Sequence, residues 1–134
     1  MSSVYGDADT FIGLFTRLFD DITTSQADQL DDLVKRKMVI CFDVHDPEVQ
    51  MWVDGRHSPV RTSFGAESTK ATLTAMLSGD ALHELLLGTL PLGRALTSGR
   101  LKVKGSKLKA MRLESLLHAC QAAYPELADE MLDG

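Results

Sequence analysis

The 134-residue chain holds only two cysteines, Cys41 and Cys120, and no paired spacing that would suggest zinc or a disulfide scaffold. Cys41 lies in an apolar, strand-like run and Cys120 on an apolar helical stripe, so each reads as a buried structural thiol. Long apolar runs are also missing. Runs such as Leu85-Leu86-Leu87 fall far below the ~20 residues that cross a bilayer. The opening "MSSVYGDADT" lacks the basic start and apolar block of a secretory signal, and the closing "DEMLDG" is not a peroxisomal tripeptide. The expected address is the cytosol, and the expected organisation is one domain over residues 1–134.

Chemistry-bearing patterns are equally scarce. His45, His57, His83 and His118 form no H-x-x-x-H or H-x-H pair, so neither a metal nor a cofactor is expected. The cluster "DVHDPE" (43–48) sets acids around a histidine, but Asp46-Pro47 marks it as a solvated turn. No nucleophile elbow appears. Gly99 and Gly105 bracket a strand rather than precede a helix with Lys-Ser/Thr, so they form no phosphate loop. Enzymatic activity is not expected.

Aromatics make up 6% of the chain and the net charge is -5, which disfavours a nucleic-acid partner. That total conceals a polarity. Residues 1–34 carry seven aspartates and one arginine, whereas no acid stands between Glu84 and Glu114, where Arg94, Arg100, Lys102, Lys104, Lys107, Lys109 and Arg112 give +7.

What is present is periodic. Phe11, Leu14, Phe15, Leu18, Phe19 and Ile22 fall on one stripe and predict a helix over 10–24. Ser25 with Asp28 resembles an acidic capping box opening a short helix through Val34. "KMVICFDV" (37–44) reads as a central strand buried on both faces, followed by strands over 49–55 and 58–65 in an antiparallel meander. "KATLTAML" (70–77) is a fourth strand. Ser78 then opens a helix that Gly88 stops, and Pro91 begins a short helix with Leu92, Ala95 and Leu96 inward, ending at Gly99. A fifth strand over 100–104 puts Leu101 and Val103 on one face and Lys102 and Lys104 on the other. Ser106 caps a long helix with the stripe Leu113, Leu116, Leu117, Cys120 and Tyr124. The fold class is α+β: a five-stranded, mostly antiparallel sheet covered by about five helices.

The segment 70–113 resembles the sterol carrier protein type 2 domain family. Gly88, Ala95, Gly99-Arg100-Leu101-Lys102-Val103, Gly105 and Ala110-Met111-Arg112-Leu113 align with its ordered pattern without a gap. Thr72 stands where an Asp is usual, so that acid's polar contact is expected to be absent. The resemblance implies a stand-alone, prokaryotic, non-catalytic carrier. It would bind fatty acid, acyl-CoA or sterol-like lipid in an apolar tunnel between sheet and helices.

The residues carry more apolar helix faces than a two-layer core requires, and six methionines suit repacking around varied ligands. The expected lining is Phe11, Phe15, Leu18 and Phe19 from the first helix, with Trp52 from the meander. Leu82, Leu85, Leu86, Leu90 and Leu96 are expected from the middle helices, and Leu101, Val103 and Met111 from the last strand and helix. Arg100, Lys102, Lys104 and Lys107 are expected to meet a lipid headgroup or make transient contact with an anionic membrane surface. Residues 125–134 are expected to close the cavity as a lid. A rival reading is a protein–protein module of the same fold with a closed core; another is an accessory subunit of a lipid-modifying enzyme.

Overall fold

A computed structural model describes residues 4–25, 27–66, 70–105, 110 and 112–132. The expected cap Ser106 and the expected site residues Lys107 and Met111 lie outside the described residues. Helix α1 (Ala8–Ser25) buries the whole stripe that its 3.6-residue spacing defines, from Phe11 to Ile22. A single 3-10 turn (Ala27–Leu30) leads into the short α2 (Asp31–Lys35). Ser25 does not cap that segment. It is the last residue of α1, and its hydroxyl donates to the Asp21 carbonyl at 2.7 Å, the local bond a serine makes to the turn behind it.

Strands β1 (Val39–His45), β2 (Val49–Asp54), β3 (Arg61–Phe64) and β4 (Leu73–Ser78) precede α3 (Gly79–Leu87) and α4 (Leu92–Thr97). Strand β5 (Leu101–Lys104), α5 (Arg112–Gln121) and α6 (Tyr124–Leu132) complete the order. The sheet runs β3-β2-β1-β4-β5. Three of its pairings are antiparallel and β1 with β4 is parallel. The meander therefore exists as expected, and the parallel pair makes the sheet mixed.

Register explains the core. Ile40, Phe42 and Val44 face the helices, opposite Val53, Met51 and Val49 on one side and Leu73, Ala75 and Leu77 on the other. All nine belong to one buried cluster with the stripe of α1. Burying each large side chain contributes roughly 1.5–3 kcal/mol. The opposite sheet face carries a smaller cluster of Val39, Cys41 and Trp52, so β1 is buried on both faces as its unbroken apolar run predicts. Gly55 has to be glycine: a Cβ there would lie 2.6 Å from the Leu33 carbonyl oxygen and 2.8 Å from that of Met38.

Helix α3 has the ends its sequence announces. The Ser78 hydroxyl accepts from the Ala81 amide, and Gly88 takes the left-handed C-cap at φ 82°. Helix α6 corrects an expectation. Tyr124, Leu127 and Ala128 are buried, and the helix packs on α1 and α3 as part of the core rather than as a lid.

A buried polar chain fixes that docking. The hydroxyls of Tyr5 and Tyr124 lie 2.6 Å apart, and Tyr124 lies 2.7 Å from His83 Nδ1. The chain is satisfied when a neutral His83 accepts from Tyr124, which accepts from Tyr5. Burial holds the His83 pKa below the ordinary histidine value, against the opposing pull of Asp80 and Glu84. As pH falls below about 6.5 the unfolded chain takes up a proton here that the folded protein refuses. Stability is therefore fully present above that range and falls as pH drops toward the lowered folded value. Urea midpoints from pH 7.5 down to 5.5 should show this decline, and His83→Gln, which keeps an acceptor without titrating, should flatten it.

Candidate functional site

The expected polar gap at Thr72 is filled differently. Its hydroxyl accepts from the Val39 amide at 3.0 Å and its own amide donates to the Val39 carbonyl at 2.7 Å, tying the entry of β4 to β1. With β4 thus placed, β5 pairs beside it at the sheet edge, Leu101 opposite Leu77 and Val103 opposite Ala75. Alternation sends Leu101 and Val103 toward the helices, while Lys102 and Lys104 are exposed.

Helix α4 lies against β5. Pro91, in extended backbone, forms its N-cap, and Ala95 is the one fully buried anchor in its six residues. Such a short helix leaves room beside it. Between α4, β5, Ala110 and the first turn of α5 lies a cleft of about 870 Å³. Leu92 and Leu96 form one wall, Leu101 and Val103 another, and Ala110 and Glu114 close the third side. Leu101 is buried at its base, and Leu96 is 40% exposed at its rim. A volume of this order with apolar walls accepts a drug-sized or lipid-sized apolar group.

A second cleft of about 520 Å³ adjoins it, sharing Pro91, Leu92 and Glu114 and adding Leu85, Leu90 and Leu117. Its far side is held by Gln121, whose amide donates to the Leu85 carbonyl at 2.9 Å. A further depression of about 620 Å³ contains the "DVHDPE" turn, with Asp43, His45 and Glu48 among its lining residues. Three ionisable side chains and Gln50 line it, against Lys102 and Glu114 in the larger cleft, which makes it the poorer host for a hydrocarbon tail.

The expected lining residues divide among these places. Leu96, Leu101 and Val103 border the larger cleft together with Lys102, expected at the headgroup, and Leu85 and Leu90 border the smaller one. Leu82 and Leu86 are buried in the core. Phe11, Phe15 and Leu18 are 0–1% exposed, with Phe11 stacked on Phe15 at 4.3 Å between ring centres. They are not on the walls of either cleft beside α4. Phe19 is buried too, bordering a shallow hollow beside Val60 and Thr62. Trp52 sits on the opposite sheet face, its indole N–H donating to the Gly65 carbonyl at 2.8 Å. Pro91, Leu92, Ala110 and Glu114 were missing from the expected lining.

Electrostatics thin the basic patch. Arg100 grips Glu84 through both terminal guanidinium nitrogens, at 2.6 and 3.2 Å, and lowers that carboxyl's pKa. Arg112 reaches Asp32 at 3.5 Å. Arg94, Lys102 and Lys104 carry no ion pair among the described residues. Burial, with Asp43 a lesser cause, pushes the Cys41 thiol up to about 11, and burial pushes Cys120 up to about 12, so both are inert at neutral pH. Among the described residues no group of three His, Cys, Asp or Glu is arranged to hold a metal, and no helix is long and apolar enough to cross a membrane.

The model of the SCP-2 sterol transfer family matches residues 15–118, from the middle of α1 to the end region of α5. The chain belongs to the SCP-2 sterol transfer family. Members of this family generally bind and transfer lipids without catalysis. No curated protein sequence matches the chain. Among solved structures, the apo form of Sterol Carrier Protein 2 from Yarrowia lipolytica is similar at 24% identity and a TM-score of 0.64, covering 78% of this chain and 88% of that one. The palmitated SCP2L2 of Aedes aegypti is similar at 16% identity and TM-score 0.60, covering 80% and 93%. The UbiJ-SCP2 ubiquinone synthesis protein is similar at 18% and 0.59, covering 83% and 88%. These likenesses show the α+β fold, as expected from the sequence.

Proposed function

We propose that the protein is a cytosolic, non-catalytic carrier that holds the tail of a fatty acid, acyl-CoA or sterol-like lipid in the cleft between α4, β5 and α5. The observation that carries the reading is the cleft itself. In a chain of a lipid-transfer family, an opening of about 870 Å³ has apolar side chains on two facing elements, Leu92 and Leu96 across from Leu101 and Val103. Each CH₂ covered there contributes about 0.8 kcal/mol, so a long acyl chain gains micromolar affinity even when much of its length stays partly wet. The smaller cleft shares Pro91 and Leu92 with the larger one and adds the apolar side chains of Leu85, Leu90 and Leu117. Buried free thiols fit a reducing compartment.

The test is a titration with fluorescent fatty acid, acyl-CoA and sterol probes. Saturable binding of at least one probe at a single site is expected, displaced by the unlabelled lipid. No saturable binding by any of the three would overturn the carrier reading and leave the closed-core module.

A further inference from the structure

The helices cover one face of the sheet. Their buried residues join the cluster around Phe42, and the cluster on the opposite face, Val39, Cys41 and Trp52, contains no helix residue. There Ala71 packs against the cluster and the Gly65 carbonyl accepts the Trp52 indole N–H. The next row on this face runs across four strands: the register sets Gln50, Asp43, Met76 and Lys102 side by side on β2, β1, β4 and β5. Lys102 is exposed and the other three are half-buried. Neither Asp43 nor Lys102 has an ion pair among the described residues. Asp43, Gln50 and Met76 also line the depression of about 620 Å³, where Glu48 adds a second carboxylate.

We propose that two copies of the chain pair through this face, stacked about a two-fold axis parallel to β4, with Lys102 of each copy on Asp43 of the other. The row itself selects the occupant. Its order on three neighbouring strands, about 4.8 Å apart, is acid, apolar, base. Turning a second copy about an axis along β4 lays its β5 over β1 and its β1 over β5, at the same height. Met76 then meets its own counterpart on the axis, and both Asp43–Lys102 pairs form together. Stacked sheets lie about 10 Å apart, a gap that a lysine and an aspartate bridge between them. Other occupants match one half of the row and clash with the other. An anionic surface or acidic peptide meets Asp43 and Glu48, and a basic peptide meets Lys102 and Lys104. A second copy carries both signs in the required order. The pairing holds whichever cleft takes a lipid tail.

The experiment is sedimentation equilibrium from about 1 µM to about 1 mM at low salt, the range suited to a small contact surface. The wild-type mass should rise toward that of two chains, and added salt should oppose the rise. Lys102→Glu sets a like charge against each Asp43 and should weaken dimerisation at least about thirtyfold. Asp43→Lys/Lys102→Glu exchanges the two signs and should restore pairing to within a few-fold of wild type. Far-UV spectra and Trp52 emission check that both variants are folded. Should the exchange prevent folding, cross-linking decides: a zero-length carbodiimide, which joins carboxylates to amines in contact, should give a covalent wild-type dimer in which Asp43 is linked to Lys102. A wild type that stays monomeric overturns the proposal, as does a dimer indifferent to Lys102→Glu. So does a folded exchange variant that fails to pair, or a covalent dimer without the Asp43–Lys102 link.

Discussion

Ending the chain at Ala123 should abolish cooperative folding. The deleted segment contains Tyr124, with 0% of its surface exposed, and the buried Leu127 and Ala128 of α6. Removing a buried aromatic side chain alone costs about 3–5 kcal/mol. The cut also removes the Tyr124 hydroxyl that lies between Tyr5 and His83, at a further cost of about 1–3 kcal/mol. Together these losses reach the 5–15 kcal/mol that holds a typical domain folded. Circular dichroism and urea titration should show a chain with no sharp transition. The milder Tyr124→Phe keeps the ring and removes the hydroxyl, and should lower stability by about 1–3 kcal/mol with the spectrum retained. A truncated protein with native spectrum and a cooperative transition would instead mean that α6 is a detachable flap.

The sequence reading of this segment failed for a physical reason. Leu127, Met131 and Leu132 form an apolar stripe too short to show, by itself, what it docks against. Only the fold shows that Tyr124 turns inward to the ring of Phe15, 5.9 Å between centres, while Met131 stays 38% exposed. The strands were legible because their periods are strong: the unbroken run of β1, and the alternation that separates Leu101 and Val103 from Lys102 and Lys104. The parallel pairing of β1 with β4 was not, since it depends on where the chain after β3 re-enters the sheet.

The site was legible in part. An apolar stripe reads the same whether it packs against protein or against a ligand. The Phe stripe of α1 is one case and the Leu101/Val103 pair the other. What separates them is the partner opposite: α1 meets a full sheet and α6, whereas β5 meets a six-residue helix too small to cover it. Arg100 was read as a free cation because its partner Glu84 lies 16 residues away. An exposed pair like this one contributes at most about 1 kcal/mol to stability, but it removes one charge from the patch.

Val103→Asp should weaken fatty-acid binding by at least about thirtyfold while leaving the fold nearly intact. Val103 is half-buried on an edge strand, so in the empty protein an aspartate there keeps water around its carboxylate. An acyl chain in the cleft strips that water, and an uncompensated buried charge costs several kcal/mol. The penalty therefore falls on the complex and only lightly on the apo state, where a loss of roughly 1–2 kcal/mol is expected. Val103→Thr, similar in shape and uncharged, should bind within a few-fold of wild type. Equal affinity for Val103→Asp and wild type would place the tail elsewhere.

Where the tail lies is the central claim, and amide chemical shifts during a titration with palmitate locate it most directly. The account predicts saturable shifts concentrated at Leu92, Leu96, Leu101, Val103 and Ala110, with Phe11, Phe15 and Trp52 nearly still. Shifts concentrated along α1 or around Trp52, with the α4–β5 cleft unmoved, would contradict it.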